Sequence, residues 1–494
     1  MRRAKGRSAA RAACLLILLL AVALVGAGAA QAGTYTGELA FGPNGRLKTL
    51  GNVDIAPDGT GAMVYLVEED GADHVFVTRL VDGAWLGPER IDAAHAGPSS
   101  QPVVAAADGG RVTVVYVNGG NVYAATRAST DGQWTEQTVW GGGGASDPHV
   151  DLSVNRKGYL AFAAPGAGGH DVRVAFSRDA GPWTLIDAPL DANPAADAGV
   201  GTGRVRVGAA GDGVAVVVWG EAGRVYARRV MGTRPSVVVA DAIADARVEG
   251  VEAIGGDLPE VGIQDDDSFT GVAFRAFFPV ADPARPRALY RRLRGSRFEW
   301  TAVVDGTTFG SGEGSGGARI ATIGVGQGLV VGTNDVTHVT HALALRADVA
   351  PADLLQVDAA AASTAPTYAV PAASTALKRY VAWQFTGPDG ATEVRGRFFN
   401  GTAFEAEETL SVPSLGQVDA ARGLDAAADD HGDMVIAWVQ GAGIAVATID
   451  QPPGRISLVK RPAGFERTTR PVLRWTRSRE AWGARYRVAI DGVE

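Results

Sequence analysis

Between residues 53 and 450 one pattern of apolar and polar positions recurs about eight times. Each unit opens on an apolar strand. A turn rich in Asp and Gly leads into a nearly continuous apolar run that ends near an aromatic. An alternating Val/Arg strand comes next, and a second turn leads into a strand that often starts with Trp. The apolar runs include Ala62-Met63-Val64-Tyr65, Val112-Thr113-Val114-Val115-Tyr116, Val214-Ala215-Val216-Val217-Val218-Trp219, Tyr380-Val381-Ala382-Trp383 and Met434-Val435-Ile436-Ala437-Trp438. Runs of this kind fit strands buried on both faces. The turns before them, such as Pro57-Asp58-Gly59, Asp108-Gly109-Gly110 and Asp429-Asp430-His431-Gly432, have the chemistry of tight hairpins. The third strands, such as Val75-Phe76-Val77-Thr78-Arg79 and Val225-Tyr226-Ala227-Arg228-Arg229, alternate with period two. That alternation predicts half-exposed strands.

Four strands per unit at this period predict an all-β fold, a β-propeller of four-stranded blades. The pattern favours eight blades. Seven stays open, because the units near 245–310 and 311–360 are the least regular. The eighth unit lacks an outer strand, which residues 37–50, ahead of the first unit, are expected to supply. Such closure removes two exposed sheet edges.

The ends differ from the repeat. Arg2, Arg3, Lys5, Arg7 and Arg11 precede an apolar run and Ala30-Gln31-Ala32. This order reads as a signal peptide over 1–32, cleaved after Ala32, and so as a secreted or extracellular protein. The propeller is assigned to 33–450. The chain's one cysteine, Cys14, falls inside the leader, so no disulfide is expected. Lysine is confined to five positions, and Gly is abundant at 66 residues, a composition that suggests a bacterial source. The net charge of −8 is spread along the chain with no basic stripe after the leader, which argues against nucleic-acid binding. No later run is long enough for a membrane span in the mature chain. Residues 451–494 start with a linker, Gln451-Pro452-Pro453-Gly454, and then place Pro471-Val472-Leu473-Arg474-Trp475-Thr476 and a strand over 484–492. This pair resembles the first half of a fibronectin type III or Ig-like sandwich. A whole sandwich needs roughly 100 residues. Either the sequence is a fragment of a longer product or these strands dock on the propeller.

Ser177-Arg178-Asp179-Ala180-Gly181-Pro182-Trp183 resembles the Asp-box of sialidase-like propellers, one residue short, and Ser129-Thr130-Asp131-Gly132-Gln133-Trp134 is a shorter version. The resemblance implies a structural turn on a blade's outer edge, and so bears on fold only. That family's catalytic F-R-I-P string is not found; Phe274-Arg275-Ala276-Phe277 departs from it at the third and fourth positions. No catalytic residue is carried over.

Asp54, Asp151 and Asp425 recur in first strands, in Val53-Asp54-Ile55, Val150-Asp151-Leu152 and Leu424-Asp425-Ala426. First strands of a propeller are innermost, so these carboxylates are the candidate binding residues for an axial site. As solvating groups on a wet channel they need no function. His338 and His341 point to opposite faces of a strand, and the acidic turns 265–267 and 429–433 lack calcium-loop spacing. No metal site and no cofactor is expected. Two functions stay open. One is a non-catalytic extracellular scaffold or binding protein for a glycan or cell-surface protein. The other is a secreted glycoside hydrolase using channel-facing carboxylates.

Overall fold

The computed structural model describes residues 33–451 apart from short internal stretches, and beyond these only 458–460, 474–475 and 482. The leader over 1–32 and the strand expected over 484–492 lie outside the described residues.

Eight sheets of four or five strands form an eight-bladed β-propeller. The first blade runs outward through Leu47–Ile55, Gly61–Glu69, Ala72–Val81 and Ala84–Trp85. The fifth and sixth blades begin at Gly255–Gly262 and Ser315–Ile323, and each has four strands. A small hairpin, Arg247–Val248 with Val251–Glu252, is inserted ahead of the fifth blade and breaks the pattern there.

Every second strand is apolar because it divides its side chains between two interfaces. Ala62, Val64 and Leu66 pack with Val104, Val112, Val114 and Tyr116 of the second blade. Met63, Tyr65 and Val67 point the other way, against Val435, Ala437 and Val439 of the eighth. Period-two geometry sends neighbours to opposite faces, and both faces meet a blade. Each buried Val or Leu side chain is worth about 1.5–3 kcal/mol of transfer from water. The expectation of half-exposed third strands holds for Arg224–Met231 and Thr392–Phe399, where buried and part-buried positions alternate, but not for the first blade. Val75 and Val77 lie in one interface and Leu80 in the other, so Ala72–Val81 is mostly buried.

The ring closes through Gly33–Phe41, which pairs antiparallel with Gly443–Asp450 and completes the eighth blade. Closure by the N-terminal segment was expected, but over 37–50. Instead a turn near Asn44 splits that stretch, where the Leu47 N–H donates to the Asn44 carbonyl. Leu47–Ile55 then becomes the innermost strand of the first blade. Leu47 and Leu50 are both buried against the eighth blade, and an outer strand could not bury them there.

In the C-terminal segment, Arg474–Trp475 pairs with Leu458–Lys460. The Trp482 indole N–H donates to the Gly59 carbonyl at 2.9 Å, and its side chain packs on the first blade beside Trp85 and Phe76. A Cβ on Gly83 would come within 3.0 Å of Trp482, so the glycine leaves the room that the indole uses.

Candidate functional site

The inner strands present backbone N–H groups toward the axis, and side chains from the blade before satisfy several of them. Asp54 Oδ2 accepts from the Ala106 N–H at 2.7 Å, and Oδ1 accepts from Ile55 at 3.0 Å. Asp151 Oδ2 accepts from Ala209 at 2.7 Å, and Oδ1 from Leu152 at 2.8 Å. Asp425 Oδ2 accepts from Val53 at 3.0 Å. Each carboxylate is a clasp from one blade to the next.

The three do not form one level. Asp54 pairs with Ala62 and Asp151 with Tyr159, one rung from the last pair of each ladder. Asp425 pairs with Ala437, three rungs from the last pair, Ala428 with Met434. Its true equivalents are Asn52, opposite Val64, and His149, opposite Ala161. Asn52 makes the same clasp with an amide, accepting from the Val104 N–H at 2.7 Å and donating to the Val104 carbonyl at 2.9 Å. His149 Nδ1 accepts from the Val207 N–H at 3.3 Å. Sequence reasoning missed Asn52 and His149 because neither is a carboxylate.

The channel holds a cavity of about 740 Å³, whose wall includes Asn52, His149, Arg204, Arg206, Glu260, Arg319 and Asp425. Of the three aspartates chosen from sequence, Asp425 is in this wall. Asp54 and Asp151 sit two rungs nearer the hairpins.

The strongest electrostatic feature is Glu260, on Gly255–Gly262 of the fifth blade. Its Oε1 bonds Arg204, from the loop before Arg206–Ala209, and Arg319 of the sixth blade; its Oε2 lies 3.3 Å from Arg206 Nε. Burial alone would raise this carboxyl, but Arg319, Arg206 and Arg204 outweigh it and hold Glu260 down at about 2. Nearby, Arg275 grips Asp257 with two bonds of 2.7 Å. Arg275 belongs to the Phe274-Arg275-Ala276-Phe277 string and lines the cavity.

The clasp residues of the inner strands titrate away from their usual range. Burial pushes Asp425 and Asp151 up to about 6 each, against their N–H donors. Burial pushes Asp54 up to about 8, with the charges of Asp151 and Asp425 adding to the rise. Burial and then Arg206 push His149 down to about 3, so it is neutral at pH 7.

Elsewhere the side chains singled out from sequence serve turns. Asp429 Oδ1 accepts from the N–H groups of His431, Gly432 and Asp433 at 2.8–2.9 Å. Asp266 caps Ser268 N at 2.8 Å. Ser177 Oγ donates to the Gly181 carbonyl at 2.7 Å, and Trp183 is buried beside it, so the stretch that resembles an Asp-box is an outer-edge turn of the third blade. Among the described residues, no cluster of three or more His, Cys, Asp or Glu could hold a metal ion, and no helix is long and apolar enough to cross a membrane.

Fold and site together define an eight-bladed β-propeller with a charged axial cavity. No protein-family model matches the chain, and no curated protein does. Among solved structures it is similar to Sqt1 of Chaetomium thermophilum bound to the N-terminus of ribosomal protein L10, at 11% identity and a TM-score of 0.47, covering 83% of this chain and 99% of that one. It is also similar to a prolyl endopeptidase at 12% identity and a TM-score of 0.42, covering 80% of this chain but only 54% of that one. A third is the Hadza microbial sialidase Hz136, at 10% identity and a TM-score of 0.35, covering 68% and 73%. Similar structures thus include hydrolases and binding propellers, and they do not separate the two functions.

Proposed function

We propose that this chain is a secreted, non-catalytic binding module that takes an extracellular glycan into the axial channel. The basic, apolar and small-residue order of 1–32 supports export. One observation carries the binding reading: of the three carboxylates in the cavity wall, Glu260 and Asp425 are already engaged, which leaves Asp335 with no second free carboxyl beside it. Both Glu260 oxygens are on guanidiniums, Asp257 is gripped by Arg275, and Asp425 accepts from the Val53 N–H. A glycosidase needs one carboxyl free to give a proton and another free to attack or activate water. Tyr368 favours a saccharide over a protein loop. It lies in the cavity wall and is 46% exposed, which offers an aromatic face for a sugar ring.

The hydrolase reading rests on a different observation. Asp425, raised to about 6, and Glu260, held at about 2, are carboxyls pushed apart by their surroundings, as acid and base partners are. A panel of oligosaccharides, read for both retention and release of reducing ends, separates the two. Retention without release, weakened by Tyr368→Ala, is expected. Release that Asp425→Asn abolishes would establish the hydrolase instead.

A further inference from the structure

We propose that the wall formed by Arg204, Arg206 and Arg319 seats an oxyanion carried by an acidic saccharide, either a uronate carboxylate or a sulfate ester. This deepens the channel-binding reading and rests on it. Three guanidiniums share one bonded carboxylate, Glu260, with Asp147 acting on Arg204 and Arg206 only at longer range, so the cluster keeps a surplus of positive charge. The surplus faces the cavity: the Arg319 side chain is 47% exposed, whereas Glu260 is 12% exposed. Arg319 is therefore the limb that an incoming group meets first.

The other two arginines are held in place behind it. Arg206 Nη1 donates to the Val205 carbonyl at 2.9 Å, and Arg204 Nη2 is tied to Glu260 Oε1. Guanidiniums fixed in this way are preorganised for a planar or tetrahedral oxyanion, which accepts two parallel N–H bonds. Arg275 is not part of the seat, because Asp257 already neutralises it through two bonds. The opposing charges in the wall are Asp425 and Asp335. Burial raises both carboxyls, but Asp425, at about 6, is still mainly charged at pH 7, so an anion on Arg319 binds against it. His149 is neutral at pH 7. Small residues, among them Gly317, Ala318 and Ala321, line the same cavity as Arg319 and Tyr368.

The test is a titration of the full chain with three oligosaccharides of equal length: an oligouronate, a sulfated saccharide and a neutral one. We expect at least one acidic ligand to bind, at least tenfold tighter than the neutral one by order of magnitude, with affinity falling as salt rises. Which acidic ligand binds names the oxyanion. Arg319→Ala should weaken that binding about tenfold, the scale of one lost charge-assisted pair. Glu260→Gln should strengthen it, because the seat then lacks its internal anion. Arg319→Ala, at a half-exposed position, gives a reading even where Glu260→Gln fails to fold. Equal binding of acidic and neutral ligands, weakened by Tyr368→Ala but not by Arg319→Ala, overturns the anion seat and leaves the channel reading standing. Binding untouched by either substitution, or no binding of any saccharide, overturns both.

Discussion

At the scale of single residues, the inner-strand polar side chains serve as clasps, and their chemistry sets a pH dependence. Asp54 holds two backbone N–H groups, from Ala106 and Ile55. Asp54→Ala leaves both without an acceptor, and we expect a loss of about 1–3 kcal/mol in denaturant unfolding. The sign of the pH effect follows from the raised values. Asp54 goes up to about 8, and Asp151 and Asp425 to about 6. The unfolded chain ionises these groups from about 4, while the fold keeps them protonated for longer. Their contribution is therefore complete below about 4 and is lost as pH rises to about 6 for two of them and 8 for the third. Glu260 acts in the opposite sense. Held at about 2, its contribution is present above about 4.5 and is lost as pH falls toward 2. Denaturation midpoints should thus decline from pH 5 to 8, and Asp54→Asn should flatten the upper part of that decline. A midpoint that rises over this range would refute the assignment. Sequence showed two of these clasps as Val-Asp-Ile and Val-Asp-Leu, but it placed Asp425 in the same set. Counting back from the hairpin bonds Ala56 to Thr60, Ser153 to Lys157 and Asp429 to Asp433 puts Asp425 two residues further from its turn. Asn52 was hidden because a clasp needs an acceptor, not a charge.

At the scale of strands, the blade depends on neighbours on both sides. Trp438 is fully buried between the seventh and eighth blades, with its indole N–H on Gln440 at 3.0 Å. Trp438→Ala should cost about 3–5 kcal/mol, read from thermal and denaturant unfolding. The closing strand Gly33–Phe41 covers the edge of Gly443–Asp450. Removing residues 33–41 should lower the melting temperature and give concentration-dependent association, seen by light scattering, because an unpaired edge recruits other chains. A monomer that melts unchanged would show that closure is dispensable. Trp482 tests the C-terminal contact. Trp482→Ala removes the bond to Gly59 and the packing over Gly83, and we expect a smaller loss of about 1–2 kcal/mol. The strand order was legible because burial on two faces writes continuous apolar runs. The start of the closing strand was not, because 33–41 lacks a strong apolar pattern: Gly33–Phe41 has four exposed residues in its middle. Leu47 and Leu50, by contrast, are apolar enough to suggest a strand without saying which one.

At the scale of the whole molecule, eight inner strands bring to one axis residues far apart in sequence. Glu260 meets Arg204, 56 residues before it, and Arg319, 59 after it. No local motif announces such a cluster, since one member per blade is indistinguishable from ordinary strand polarity until the ring closes. That is why the repeat revealed the scaffold and the aspartates of its first strands but not the arginine wall. It also explains why the Trp, Gly and Asp of the repeat prove to be burial and turn residues, while the site lies where blades differ from one another. On the proposed function, the axial channel is where this propeller meets its ligand. A crystal structure of the full chain with the saccharide that it retains most tightly tests this directly. The saccharide is expected in the axial cavity, with an oxyanion on Arg319 and a ring against Tyr368. A saccharide bound on the outer strands, with no sugar in the channel, would contradict it.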